Sequence, residues 1–378
     1  MKLLFFESYT DVVHGNSKNI FLLGSGMQAK GHKVNYLLTN DGPLSEHLES
    51  KNMLVKIIKY PDTLNTFGRK ILSKNLLLIF CHLLVYNMRV IKYLRLSKPD
   101  IIHCTSTRSV ISCGLAAIFC RIKLVWVIQM EHSNYFLDFL ASILSSRLIF
   151  IAKKLRDDKP KFFRTYIKSK SEIIPIGIDL EEENQKINYS DIEKEGLKIL
   201  CIASIVPDKG LHILLKDVIR LVNSGKNVYC YSIGQVVPGF ENYKNDLKEM
   251  IDRANLSERV FFIGWVDNIK EWIPKYDIFI LPSTSEGLSR ALIESMYVGL
   301  PAIVTDTGAL SEIVDNNVGR LISKDKEDAL YEAIEFYINN SNFIKKHGKE
   351  ARRRVKDSFT LDSYLMKMDN LYANISRF

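Results

Sequence analysis

Residues 277–301 have the sequence DIFILPSTSEGLSRALIESMYVGLP, in which an apolar run, a short polar segment and a helical pattern follow one another. The apolar run predicts a buried strand that ends at Ser283. Ser289 is a typical helix N-cap, and Gly299 followed by Pro301 is a typical helix end. The segment therefore predicts a strand, a loop and a helix in succession.

Two acidic residues, Glu286 and Glu294, lie eight positions apart on this loop and helix. The backbone N–H groups of residues 287–290 lie at the predicted helix N-terminus, where unpaired donors and the helix dipole favour an anion such as a diphosphate. The carboxylate of Glu294, about one turn further into the helix, can accept hydrogen bonds from both hydroxyls of a ribose. Glu286 can reach a sugar attached to the phosphate. The spacing indicates a nucleotide-sugar site. The alternative is a pair of solvent-facing acids that favour a helix N-terminus.

Strand and helix patterns alternate along the rest of the chain. The first half contains the apolar runs KLLFFE, KVNYLLT, LVKIIKY, DIIHCTS, KLVWVIQ and RLIFIA, and after a polar stretch at about 181–196 the pattern restarts with LKILCIAS, NVYCYSIG and RVFFIGW. Such alternation predicts parallel sheets with crossover helices. We expect two similar α/β halves joined by a polar linker, with ligands bound beyond the carboxyl ends of the strands, in a cleft between the halves.

Length and composition agree with this organisation. The chain has 378 residues, more than one hydrophobic core usually fills, and its 47% hydrophobic and 25% charged residues are typical of a globular protein. The six cysteines form no CxxC pair, which predicts reduced core residues of an intracellular protein. The opening residues MKLLFFESYTD contain too short an apolar run for a signal peptide, so we expect a cytoplasmic start.

The positive charge is confined to the first half of the sequence. Residues 1–180 contain 26 Lys and Arg against 13 Asp and Glu, a net charge of +13, whereas residues 181–378 have a net charge of −4. The basic residues alternate with aliphatic runs and form no nucleic-acid motif, so nucleic-acid binding is not expected. The sequence also lacks a GxGxxG fingerprint, a Walker loop, a D-x-D pair and a zinc-type Cys/His cluster, so we expect neither a dinucleotide cofactor nor a bound metal.

The run LPSTSEGLSRALIESMYVGLPAIVTDTGALSEIV at 281–314 resembles glycosyltransferase family 4, and EGLSRALIE within it resembles the E-x7-E motif of retaining glycosyltransferases with the GT-B fold. IVPDKGLHILL, IIPIGID and FFIGWV are similar to other landmarks of the family. The resemblance implies a GT-B fold of the α/β class, with two Rossmann-like domains facing each other across a cleft. It implies an acceptor-binding domain at 1–182, a nucleotide-sugar-binding domain at 183–357, and a C-terminal helix at 358–378 that packs back on the first domain.

The resemblance also implies roles for residues of the second half. Glu294 would bind the ribose, Glu286 would act at the donor sugar and the reaction centre, and Lys209 would bind the diphosphate, where a cation suits charge that grows as the leaving group departs. The donor would also contact the helix N-terminus at Gly287, Leu288, Ser289 and Arg290. Family members commonly carry an arginine where this chain has Ser204, and Arg290 is a candidate replacement. The alternatives are a solvated turn lysine for Lys209 and an ordinary surface arginine for Arg290.

Two further candidates lie in the first half. The segment HGNSKN at 14–19 occupies the place of the family's glycine-rich loop, so Gly15 would let the backbone approach the donor phosphate; the alternative is a simple strand-to-helix turn. His132, after the strand KLVWVI, resembles a histidine that contacts the donor sugar in the family. Glu131 beside it is a weaker candidate for serving the acceptor. A purely structural histidine is the alternative.

These features support three hypotheses of function. The leading hypothesis is a retaining, metal-independent glycosyltransferase that moves a sugar from a nucleotide donor, a UDP-sugar, to a glycan or polyprenyl-diphosphate-linked saccharide in bacterial surface polysaccharide synthesis. The second is a nucleotide-sugar epimerase of the same fold, and the third is a non-catalytic nucleotide-sugar-binding subunit, which the missing arginine at Ser204 supports. A cofactor is not expected in any of them.

Residues 66–98 combine an apolar centre with flanking cations, namely Arg69, Lys70, Lys74, Arg89, Lys92, Arg95 and Lys98. A basic amphipathic helix of this kind can lie on an anionic leaflet. The alternative is a crossover helix that packs one face on the sheet, and both interpretations hold if Leu76–Val85 pack in the core while the cations stay exposed. The apolar run at 76–86 is itself too short to cross a bilayer. We therefore expect a cytoplasmic protein bound peripherally to the inner face of the plasma membrane.

Overall fold

A computed structural model of the chain describes residues 1–10, 15–65, 76–129, 134–179 and 196–376. The chain forms two compact units: Met1–Gly177 together with Asp362–Phe378 form unit 1, and Ile178–Leu361 form unit 2. Each unit contains one parallel sheet with helices between its strands, which confirms the predicted α/β class and the two Rossmann-like halves. Of the predicted polar linker, only Gly196 lies within the described residues.

Unit 1 begins with alternating strands and helices. Its strands are β1 (Lys2–Glu7), β2 (Lys33–Leu38), β3 (Leu54–Ile57), β4 (Ile101–Cys104), β5 (Lys123–Ile128), β6 (Arg147–Phe150) and β7 (Ser171–Ile173). Between them lie α1 (Gly15–Ala29), α2 (Pro43–Ser50), α3 (Asp62–Asn65), α4 (Leu76–Ser97), α5 (Thr107–Phe119), α6 (Tyr135–Leu144), α7 (Lys153–Asp157) and α8 (Lys161–Ile167).

The sheet of unit 1 is parallel throughout, in the order β3-β2-β1-β4-β5-β6-β7. Strands covered on both faces have near-continuous apolar sequences rather than alternating ones. In β1, for example, all residues after Lys2 are buried, and β5 buries Trp126 completely. This explains why the apolar runs of the sequence indicate the strands so directly.

Unit 2 repeats this plan. Its strands are β8 (Leu197–Ile202), β9 (Val228–Ile233), β10 (Val260–Gly264), β11 (Ile278–Leu281), β12 (Ala302–Thr305) and β13 (Gly319–Ile322), in the parallel order β10-β9-β8-β11-β12-β13. Its helices are α9 (Leu211–Asn223), α10 (Glu241–Arg253), α11 (Arg290–Val298), α12 (Leu310–Ile313), α13 (Ala329–Asn339) and α14 (Asn342–Ser358).

Two hydrophobic clusters hold unit 2 together. One contains Ile199, Leu214 and Tyr337, and the other contains Phe279 and Met296. Because β8, β11 and β12 are neighbours in a parallel sheet, their carboxyl ends lie side by side at one edge. The three loops that follow these strands therefore converge at that edge.

The final helix, α15 (Leu361–Ser376), returns to unit 1. The Tyr372 hydroxyl lies 2.7 Å from Nδ1 of buried His103 on β4, and Asp369 pairs with His32 at 2.8 Å. Leu365 packs so tightly on Gly26 of α1 that a Cβ there would lie 2.4 Å from its Cδ1. These contacts attach the C-terminal residues to unit 1, although they follow unit 2 in the sequence.

The membrane-surface and crossover interpretations of helix α4 would both hold if Leu76–Val85 filled the core. Leu77 and Phe80 are 77% and 56% exposed, whereas Tyr86, Val90 and Leu94 are buried. That condition is not met, because the buried side chains of the described part of this helix lie from Tyr86 onward. Arg69, Lys70 and Lys74 lie outside the described residues.

Helix α4 also extends beyond the apolar run at 76–86. Among the described residues, Leu77–Ser97 is the one helix that is long and apolar enough to cross a membrane by length and composition. The side chain of Asn87 on this helix accepts a hydrogen bond from the Ala116 backbone N–H of α5 at 3.0 Å, and the Tyr86 hydroxyl donates to the Ile58 carbonyl at 3.1 Å. In the folded chain the helix is thus packed against unit 1.

Candidate active site

The loop between β11 and α11 is fixed by the segment that follows β8. The backbone N–H of Thr284 donates to the Asp208 carbonyl at 2.9 Å. Gly210 has φ of +69°, and a Cβ at this position would lie 2.0 Å from the carbonyl oxygen of Pro282. Only glycine combines this left-handed backbone with so close an approach. The two loops therefore meet backbone to backbone.

This contact brings Lys209 and Glu286 together. The ammonium group of Lys209 donates to Oε1 of Glu286 at 2.6 Å, and the Ser283 hydroxyl donates to the same oxygen at 3.2 Å. The side chains of Lys209 and Glu286 are 26% and 10% exposed, so the pair lies at the surface of the site but is largely screened from solvent. The sequence predicted both charged residues, whereas the contact with Ser283 was not predicted.

The loop after β12 supports the other side of Glu286. Gly308 has φ of +51°, and a Cβ there would lie 1.8 Å from the Glu286 carbonyl oxygen. The N–H of Ala309 donates to the Gly287 carbonyl at 3.1 Å, and the Thr307 hydroxyl donates to the Thr284 carbonyl at 3.3 Å. The backbone of the Glu286 loop is therefore held between two other loops.

Helix α11 begins as the sequence predicts. The Ser289 hydroxyl accepts a hydrogen bond from the Leu292 N–H at 3.2 Å, and Gly299 ends the helix in the left-handed conformation. The first-turn N–H groups that the cap does not satisfy have no intrahelical acceptor and carry the positive end of the helix dipole. They lie beside the Glu286 loop and form a suitable environment for a phosphate.

On the same helix, Arg290 donates to Oε1 of Glu294 at 3.3 Å, one turn further along. Both side chains are less than one-fifth exposed. Arg290 is therefore near the helix N-terminus, as a substitute for the missing arginine would need to be, and it also contacts the acid predicted to bind ribose. Leu288 packs against the hydrophobic cluster beneath the loop, and Ser204 is exposed after β8.

The cysteine nearest to these charges, Cys201 on β8, is buried. Burial raises the pKa of its thiol to about 12, with the nearby Lys209 lowering it and Glu286 raising it by smaller amounts. A thiol with this pKa stays protonated at neutral pH and is a poor nucleophile. Cys201 thus acts as a packing residue under the site.

The remaining predicted residues belong to unit 1. Gly15 is the first residue of α1, and His132 and Glu131 lie outside the described residues. The described part of unit 1 shows a polar cluster that was not predicted from the sequence. Glu7, at the end of β1, accepts hydrogen bonds from the N–H groups of Ser8 and Tyr9 at 2.7 and 3.1 Å.

The cluster around Glu7 continues through hydroxyl groups beyond β4. The hydroxyl of Ser8 lies 3.2 Å from that of Ser106 and 2.9 Å from that of Ser109. These side chains are buried, and their hydrogen bonds join the carboxyl ends of β1 and β4. Serines in the segment TSTRS give no pattern by which this cluster could be recognised in the sequence. Over the described ranges, no group of three or more His, Cys, Asp or Glu side chains is arranged to hold a metal ion.

Comparisons with known proteins agree with this architecture. Two family models match the chain in succession: Glycosyltransferase Family 4 over residues 13–182, and Glycosyl transferases group 1 over residues 182–354. The fold is similar to that of Anabaena Alr3699/HepE in complex with UDP, with a TM-score of 0.81, 17% identity, and coverage of 99% of this chain and 100% of that chain. Another structure of that protein contains UDP-glucose.

Two curated proteins illustrate the sequence similarity. The chain is 24% identical to a UDP-Gal:alpha-D-GlcNAc-diphosphoundecaprenol alpha-1,3-galactosyltransferase of Escherichia coli, over 90% of this chain and 89% of the relative. It is 23% identical to the lipopolysaccharide core biosynthesis mannosyltransferase LpsB of Rhizobium meliloti, over 56% of this chain and 63% of the relative. The second match thus spans less than two thirds of the relative. The two family models, which together cover residues 13–354, show that the chain belongs to glycosyltransferase family 4, with the GT-B fold.

Proposed function

We propose that the protein is a retaining glycosyltransferase that moves a sugar from a nucleotide-diphosphate donor to a bacterial surface glycan or its lipid-linked precursor. The observation that carries the proposal is the Lys209–Glu286 pair, 2.6 Å apart, beside the N-terminus of α11. It combines a cation, the positive end of a helix dipole and a carboxylate at the edge where three parallel strands end. Such an edge is where ligands bind in open α/β sheets.

The proposed chemistry follows from where charge develops. As the bond between sugar and phosphate breaks, negative charge accumulates on the departing diphosphate, and Lys209 with the first-turn N–H groups of α11 stabilises it. Lys209 has three N–H donors, so it can bind phosphate and keep its contact with Glu286. The Glu286 carboxylate, fixed by Lys209 and Ser283, then faces the positive charge that develops on the sugar. The Glu294 carboxylate accepts hydrogen bonds from the hydroxyls of the ribose.

This arrangement needs no metal ion, because the lysine and the helix N-terminus neutralise the diphosphate. We propose UDP as the nucleotide, supported by the UDP and UDP-glucose complexes of Anabaena HepE. For the acceptor, we propose a saccharide on a polyprenyl diphosphate, supported by the name of the E. coli relative. A lipid-linked acceptor would place the enzyme peripherally at the inner face of the plasma membrane.

A donor panel tests the proposed function. Purified protein is incubated with UDP-glucose, UDP-galactose, UDP-N-acetylglucosamine or GDP-mannose, with and without undecaprenyl-diphosphate-linked N-acetylglucosamine, and the nucleotides are separated by ion-exchange chromatography. We expect free UDP from one UDP-sugar, released faster with the acceptor. An altered sugar that stays attached to UDP would indicate epimerisation, and binding without turnover would indicate a non-catalytic subunit; either result contradicts the proposal.

A further inference from the structure

Exposed apolar side chains are concentrated on four helices of unit 1. Among the described residues, twenty large apolar side chains are exposed, and sixteen of them belong to α4, α5, α6 and α8. Helix α4 contributes Leu77, Leu78, Phe80, Leu84, Val85, Met88 and Leu96; the other three contribute Leu115, Ile118, Phe119, Tyr135, Phe136, Leu140, Ile143, Phe162 and Tyr166. Scattered exposed apolar residues are normal, but a contiguous patch marks an interaction surface.

The four helices form one continuous layer. Asn87 of α4 bonds to the backbone of α5, and Gly114 of α5 lies so close to α6 that a Cβ there would be 2.8 Å from that of Leu144. Phe139 of α6 packs edge-on against Phe162 and Tyr166 of α8, with ring centroids 5.4 and 5.3 Å apart. The exposed residues therefore share one outer surface, which we call the helix face: the solvent-facing side chains of α4, α5, α6 and α8.

The helix face carries positive charge and no exposed acid. The four helices contain a single acidic residue, Asp138, which is buried and paired with Lys159 at 2.7 Å. Exposed cations on these helices are Arg89, Lys92, Arg95, Lys161 and Arg164, and the Arg95 guanidinium lies 5.2 Å from the centre of the Phe119 ring. The helix face thus carries five of the 26 basic residues that give residues 1–180 their net charge of +13.

The charge pattern selects among possible partners. A second copy docked through the same face would place cations against cations with no exposed acid on the four helices to pair them. A membrane-spanning α4 would have to break the contacts of Tyr86 and Asn87 with unit 1. An anionic bilayer surface can bind both the exposed apolar side chains and the exposed cations of the helix face. Aliphatic and aromatic side chains enter the headgroup boundary, while Lys and Arg contact lipid phosphates.

We infer that the helix face binds the surface of an anionic lipid bilayer, with apolar side chains of all four helices inserted into the headgroup boundary. The inference rests on the proposed function in one respect, namely that a lipid-linked acceptor requires access to a membrane. It extends the expected contact from α4 to three further helices. The interaction is peripheral, and it combines electrostatic attraction with insertion of side chains.

Vesicle sedimentation of the full-length protein tests the inference. The vesicles contain phosphatidylcholine alone or with phosphatidylglycerol, at low and high salt. Two variants change the helix face: L96S/I118S/F136S removes apolar side chains, and R89Q/K92Q/K161Q/R164Q removes cations. Matched controls carry equivalent changes elsewhere: L54S/F240S/M366S at exposed apolar positions, and K324Q/K345Q/K349Q/K356Q at exposed lysines of unit 2.

We expect wild-type protein to bind phosphatidylglycerol vesicles at low salt and to dissociate as salt rises. Each helix-face variant should lower the partition coefficient about tenfold or more, while each control stays within about twofold of wild type. No binding at low salt, an equal loss in variants and controls, or binding that survives alkaline carbonate would overturn the inference. Release of UDP from a soluble donor, measured without vesicles, separates failure of membrane binding from failure of the proposed function.

Discussion

The ammonium group of Lys209 lies 2.6 Å from the Glu286 carboxylate, and the two residues come from loops that follow adjacent strands of the same sheet. The ion pair therefore depends on the pairing of β8 with β11 as well as on the loops themselves. Because the side chain of Lys209 is about one-quarter exposed to solvent, a phosphate can reach its ammonium group without separating the pair. The same residue thus positions the carboxylate and receives the leaving group in the proposed mechanism.

The two acids should have separable effects. Glu294→Ala should weaken UDP binding about 10- to 100-fold, because it removes an acceptor for ribose hydroxyls. Glu286→Ala should leave UDP affinity within a few-fold and lower kcat about 100-fold or more, because its carboxylate acts at the sugar. Calorimetry with UDP and initial-rate kinetics distinguish the two. Glu258→Ala, at an exposed acid of unit 2, is the control, and unchanged UDP affinity in both site variants would refute the assignment.

Chelation of metal should leave activity intact. Lys209 and the N-terminus of α11 supply positive charge for the diphosphate, so activity after dialysis against EDTA should remain within about twofold of its starting value. Lys209→Gln should instead lower kcat/KM by two orders of magnitude or so in the same buffer. Complete loss of activity in EDTA, restored only by Mn²⁺ or Mg²⁺, would contradict this expectation.

A methyl group at position 308 should displace the Glu286 loop. In Gly308→Ala the added Cβ would lie 1.8 Å from the Glu286 carbonyl oxygen, so the loop must move. We expect kcat to fall tenfold or more through this misplacement. Gly225→Ala is the control, since Gly225 also has a positive φ but a Cβ there meets nothing within 4 Å. Gly225→Ala should lower the free energy of unfolding by only about 1 kcal/mol and leave activity unchanged. Equal kinetic effects in the two variants would show that displacement of the Glu286 loop is not the cause of the loss.

Acid should weaken unit 1 through His103. Burial lowers the pKa of His103 to about 3, from an ordinary value of 6.5. Below pH 6.5 the unfolded chain therefore binds a proton that the folded chain excludes, and the stability that this histidine contributes is lost as the pH falls toward 3. Between pH 6.5 and pH 5 the loss is about 2 kcal/mol. Urea unfolding of wild type and His103→Gln at both pH values measures it: the variant should lose about 2 kcal/mol less, and an identical loss would exclude this cause.

Local sequence patterns were sufficient to predict the elements around Glu286. The apolar strand, the Ser289 cap and the Gly299 terminus depend on nearby residues only, and each was confirmed, although the strand ends at Leu281 rather than at Ser283. The contacts of Ser283 and Gly308 with Glu286 depend on backbone positions that only the folded sheet defines. No periodicity in the sequence encodes them.

Helix α4 shows a second limit of sequence patterns. Because nearly all of its first half is apolar, the sequence does not reveal which face packs on the protein. The structure buries Tyr86, Val90 and Leu94 and exposes Leu77 and Phe80. A pattern that indicates a helix can therefore fail to indicate its orientation.

The most direct test of the central proposal is the configuration of the transferred sugar. With the UDP-sugar that the donor panel identifies, proton NMR follows the anomeric signals during transfer to undecaprenyl-diphosphate-linked N-acetylglucosamine. Retention predicts that the first product signal has the anomeric configuration of the donor, and that it appears together with one equivalent of UDP. A first product of inverted configuration, or loss of the donor signal with no new glycosidic bond, would contradict the account.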